Sequence, residues 1–192
     1  MRKLLKRIGA FLVDCAILFF VLTITNLFIP KFVEVETLSD RTFEITQKYV
    51  DQEITEEKFI EETNNINYEL SRGTYLSTIS SIVIYILYFV VFQAYNRGQT
   101  LGKKLFRLQV LKTNGELPDI NSLTGRCLIP YGILVNFISV ILILFASKDI
   151  YLSVDGILGY VHIFVIFISI ILMFINGRGI QDYLANTKVE EI

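Results

Sequence analysis

Four stretches of the chain are apolar for about the length of a bilayer crossing, at 8–29, 77–95, 127–146 and 157–175. A crossing of roughly 30 Å takes about 20 helical residues, because only a helix satisfies its own backbone polar groups without water. Each run closes on residues suited to a membrane boundary, such as Pro30 and Lys31 after the first and Asn176 to Arg178 after the last. The basic leader Met1–Arg7 resembles the start of a signal peptide. The apolar stretch is longer than a signal core, contains Asp14 and lacks a small-x-small site before Lys31, so an uncleaved first span is expected. Residues 31–76 are too long for a bare loop, and their spaced apolar positions predict two outer helices. Ser39-Asp40 is placed at the cap of one; Thr55-Glu56-Glu57 is placed at the cap of the other, with Phe59, Ile66 and Leu70 along its stripe.

Composition agrees with lipid as the solvent. Hydrophobic residues make up 53% of the 192, too high a share for a soluble domain of this size. The formal net charge of −1 leaves no basic field for nucleic acid, so no nucleic-acid partner is expected. Two cysteines and one histidine exclude a structural zinc centre or a disulfide framework, and no metal or other cofactor is expected. Twelve of the 18 basic residues fall in 1–7, 96–126 and 176–192, whereas eleven of the 19 acidic residues lie between Lys31 and Tyr75. Cationic loops stay inside, so both termini are expected in the cytoplasm. The fold expected is an all-α membrane protein of four transmembrane helices, a single domain over 1–192. It carries an acidic extracellular insertion at 31–76 and a basic cytoplasmic link at 96–126.

The link superficially resembles a phosphate loop, but only three residues separate Gly98 from Gly102, and Lys104 stands where a magnesium-binding hydroxyl belongs. Leu101, Leu105 and Leu108 recur at helical spacing beside Lys103, Lys104 and Arg107. An interfacial helix is therefore expected, with 103–107 near anionic lipid headgroups. Arg7, Ala10 and Asp14 share a face of the first span, and Asp14 lies about 9 Å into it. A carboxylate at that depth must pair, hydrate or take a proton. Arg126, Arg178 and Asp182 reach the same rim in this topology and supply further charges. Tyr85, Tyr88, Phe89 and Phe92 are read as packing and belt residues, and Pro130 as a harmless first-turn proline. Cys15 and Cys127 are assigned no chemistry.

Three blocks resemble the RDD family of small bacterial membrane proteins: Arg7-x-x-Ala10-x-x-x-Asp14, then Gly98-Gln-Thr-Leu-Gly-Lys103, then Arg178-Gly-Ile-Gln-Asp182-Tyr-Leu-Ala-Asn-Thr187. The name-giving trio maps to Arg7, Asp14 and Asp182. The long 31–76 insertion departs from the compact outer loop usual in the family, and Asn186 stands where glycine is common. The resemblance implies a multi-pass protein of the bacterial plasma membrane and an activity in transport, with some relatives linked to sodium–proton exchange. Two functions stay open. In one, Asp14, assisted by Arg7, Arg126, Arg178 and Asp182, couples a proton or monovalent cation to movement of the spans, within a homo-oligomer. In the other the cluster is a fixed salt-bridge lock in a non-transporting scaffold. No nucleophile, metal-ligand or paired-carboxylate set marks the spans as an enzyme.

Overall fold

A computed structural model describes residues 2–192. Helix α1 (Arg2–Phe28) ends two residues before Pro30, whose ring disfavours helical backbone in the residue preceding it. Helices α2 (Val35–Val50) and α3 (Glu56–Gly73) are the two helices expected in 31–76 and pack as a hairpin. Thr55 caps α3 by accepting the Lys58 amide, as predicted, but α2 starts at Val35 and carries Ser39-Asp40 inside it. Buried Leu38 and Ile66 form the hairpin seam, closed by stacking of Tyr49 on Phe59 at 4.6 Å and an Arg41–Glu69 ion pair at 2.8 Å.

Only Thr74 separates α3 from α4 (Tyr75–Tyr95), the second long apolar helix. Its segment Leu87–Phe92 is a π-helix, a local widening that re-aims the side chains below it. A short helix α5 (Leu101–Leu105) follows, then strand β1 (Leu108–Lys112), α6 (Ile120–Cys127) and α7 (Ile133–Phe145). Helix α8 (Lys148–Asn176), α9 (Ile180–Leu184) and strand β2 (Thr187–Glu191) complete the chain.

Among the described residues three helices, α1, α4 and α8, are long and apolar enough to cross a membrane. The third expected span is not one helix: residues 128–131 form a turn, Gly132 takes φ +63°, and α7 keeps only 13 residues. Pro130 therefore lies in this break rather than in a first helical turn. The fourth span begins earlier than expected. The Asp155 carboxylate inside α8 accepts a hydrogen bond from Ser139 of α7, and Lys148 at its start bonds Asn65 of the hairpin. Polar partners from neighbouring helices thus extend the helix beyond the apolar run.

The all-α expectation is corrected at the end of the bundle that holds both chain ends. Strands β1 and β2 pair antiparallel, with Leu108 opposite Glu191 and Val110 opposite Val189. Leu108, Val110 and Val189 are buried against the bundle. The interfacial-helix reading fails at the same place: Arg107, at φ +54°, turns the chain out of α5, so Leu108 opens a strand instead of extending a helical stripe. Asn186 adopts φ +50° immediately before β2, which explains both a preference for glycine there and the tolerance of asparagine.

Candidate functional site

The charged residues singled out above separate into two locks. Asp182, with no exposed surface, accepts from Arg7 Nη2 at 2.8 Å and from Arg126 Nη1, and its Oδ2 accepts the Gly179 amide at 3.0 Å. Arg7 also donates to the Gly177 carbonyl at the end of α8, and Arg126 to Thr187 Oγ1 at 2.9 Å. Arg178 joins the cluster through backbone, donating to the carbonyls of Thr187 and Asp182 at 3.0 Å each, and lies over the Tyr183 ring. One carboxylate therefore ties α1, α6, α9 and, through Arg7, the end of α8. Burial alone pushes the Asp182 carboxyl up, but Arg126 and Arg7 together outweigh it and hold the group below its ordinary value.

Asp14 stands apart from that clamp. Its partners are neutral: Tyr88 OH at 2.6 Å and the Gly102 amide at 2.8 Å on Oδ1, and Thr100 Oγ1 at 2.6 Å on Oδ2. Among the described residues no Arg or Lys makes an ion pair with it. Tyr88 packs as expected, against Phe89 at 5.0 Å and Phe92 at 5.6 Å, and its hydroxyl in addition donates to Asp14 and accepts the Leu101 amide at 3.2 Å. Thr100 caps α5 while donating to Asp14. Gly102 allows the docking: a Cβ there would sit 2.1 Å from the Ala10 carbonyl oxygen and 2.8 Å from Asp14 Oδ1. The Gly98–Lys103 block thus folds onto the Ala10–Asp14 face of α1.

Docking α5 in this way turns Lys103 inward, off the exposed helix face on which the sequence places it, whereas Lys104 and Leu105 remain exposed. Lys103 lines a cavity of about 360 Å³ together with Asp14, Arg7 and Arg126. Its ammonium has Thr100 Oγ1 at 3.3 Å and the Phe89 ring centroid at 5.9 Å, but among the described residues it makes no ion pair. Desolvation first, then repulsion from Arg126, brings the Lys103 amine down to about 7, with Asp14 opposing.

Both irregular segments meet at this cavity. Phe89 of the π-helix stacks on Tyr131 of the 128–131 turn with centroids 3.6 Å apart, and both rings line the cavity. Non-helical backbone at this depth is tolerated where it is packed in protein or lines a cavity. Ser169 of α8 donates to Gln181 Oε1 at 2.6 Å, closing the wall between α8 and α9. Lys103, Thr100 and Tyr88 were missed as site residues. The available signal was the Gly98–Lys103 block itself, in which a capping Thr and a small Gly two residues on mark close packing against another helix.

The model of the RDD family matches residues 1–186. No curated protein and no solved structure matches the chain.

Proposed function

The chain belongs to the RDD family, and from that premise we propose that it is a multi-pass plasma-membrane transport protein whose substrate chamber is the cavity lined by Lys103. Both termini lie in the cytoplasm in this reading. Arg7–Asp182 and Lys6–Glu191 contacts hold the two chain ends at one end of the bundle, and the basic residues concentrate there. The 120–145 segment supplies the remaining crossing, as α6, a turn and α7.

One observation carries the proposal: both buried aspartates accept three hydrogen bonds each, whereas the Lys103 ammonium, on the cavity wall, makes no ion pair among the described residues. Asp14 and Asp182 then act as structural locks, and Lys103 gains and loses the coupling proton. Its near-neutral amine suits that role. The broken third crossing and the π-helix place two deformable joints on the chamber wall, where a change of packing would open it. Three cations (Arg7, Lys103, Arg126) line the chamber against one carboxylate (Asp14), with Asp182 behind the arginines, a balance that favours a negatively charged substrate over the monovalent cation suggested by the sequence. Helix α8 leaves most of its apolar surface uncovered, an area available to lipid or to a second copy in a homo-oligomer.

The test is proton movement in proteoliposomes carrying an internal pH dye, under an imposed pH gradient. Parent protein is expected to dissipate the gradient, and Lys103→Met to abolish this while still folding, with a melting temperature no lower than the parent's. No protein-dependent proton movement would overturn the transport proposal and leave the scaffold reading.

A further inference from the structure

The chamber has a side as well as a floor. Ile8 and Phe11 of α1 and Ile170 and Phe174 of α8 line it, yet they are 44%, 46%, 42% and 67% exposed at the bundle surface. A second cavity of about 270 Å³ shares Leu4, Arg7, Met173 and Phe174 with the first and extends to Lys3 and Gly177. Helix α1 packs on α4 and α5, and α8 packs on α7 and α9, so the two helices frame a trough between them. Its walls are apolar and continuous with the exposed outer surface of α1 and α8, which faces acyl chains if these helices cross a bilayer. Its polar end carries Lys103, Arg7 and Arg126, with Lys3 at the mouth.

We infer that the trough between α1 and α8 binds one anionic phospholipid, its phosphate at Lys103 and the Arg7–Arg126 rim and an acyl chain along Phe11, Ile170 and Phe174. This deepens the reading of the cavity as a substrate chamber and rests on it. Charge complementarity selects an anion: Arg7, Arg126 and Lys103 line the cavity against Asp14, and with Asp182 behind the two arginines the three cations still exceed the two carboxylates by one positive charge, which an anion from outside would meet. Apolar walls continuous with the outer surface select an amphiphile over a free ion, because a hydrated anion gains nothing from them. The size falls within the usual range for ligand pockets.

The test uses the full chain, equilibrated with vesicles of phosphatidylcholine alone or with phosphatidylglycerol, extracted in mild detergent and weighed by native mass spectrometry. One phosphatidylglycerol per chain is expected to stay bound, in preference to phosphatidylcholine. Lys103→Gln should lower that retention roughly tenfold, the loss of one charge-assisted contact, while Lys103→Arg keeps most of it. Ile170→Trp, which narrows the trough without touching a charge, should lower retention with an unchanged melting temperature. Equal retention of both lipids, indifference to Lys103→Gln and Ile170→Trp, or retention of added inorganic phosphate in place of lipid would each overturn the inference. A bound lipid without proton flux removes the transport reading alone; flux without lipid selectivity removes the lipid alone.

Discussion

Arg7 and Asp182, 175 residues apart in the chain, meet at 2.8 Å with the carboxylate fully buried. Arg126 closes the other side of the same group, so neutralising it leaves two guanidinium groups without their counter-charge. Asp182→Asn is expected to cost about 3–5 kcal/mol, the usual penalty for breaking a buried pair from one side. Chemical or thermal unfolding in detergent measures it, and Arg7→Met combined with Asp182→Asn should cost less than the sum of the single changes.

Gly102→Ala inserts a methyl against the Ala10 carbonyl and the Asp14 carboxylate. Backbone lies in the way, so relief requires α5 to lift from α1. A loss of roughly 1–3 kcal/mol is expected, with faster proteolysis within 96–107. Gly125→Ala, where a Cβ meets nothing within 4 Å, is the control and should stay near the parent.

Lys103 makes stability depend on pH in the alkaline range. Its folded value near 7 lies below the unfolded value of about 10.4, so the unfolded chain holds the extra proton between the two and stability rises with pH there. Lys103→Met removes this slope. In melting curves the variant should exceed the parent near pH 7 by an amount that shrinks toward pH 10.

Asp182 gives the opposite edge. Its folded value is depressed, so its contribution is complete above the unfolded carboxylate value of about 4 and disappears as pH falls through the lower folded value. Acid unfolding of the parent should lose this increment, and Asp182→Asn should show a flatter acid limb.

Hydropathy alone places α4 to within two residues and the end of α1 to within one, while α1 starts six residues before its apolar run, and the Thr55 cap marks the start of α3. The break at 128–132 is invisible to it, because Leu128, Ile129 and Tyr131 are as apolar as a continuous span. What ends the helix is the left-handed Gly132 and the packing of Tyr131 on Phe89. The sheet was hidden for a related reason. Leu105 and Leu108 fit a helical stripe, and β2 reads Thr187-Lys-Val-Glu-Glu191, too short and charged to stand out before it meets β1. The clustering of Arg7, Arg126, Arg178 and Asp182 was legible from charge at one rim. The neutral donors on Asp14 were not, since Tyr88 and Thr100 come from segments whose approach depends on Gly102.

The most direct measurement is the titration of Lys103 itself, read from the ¹³Cε resonance of labelled lysine in the folded protein and assigned by its loss in Lys103→Gln. An unpaired ammonium drawn into the bundle should titrate at about 7. A midpoint at the ordinary lysine value of about 10.4 would place the amine in water and contradict the inward-facing site.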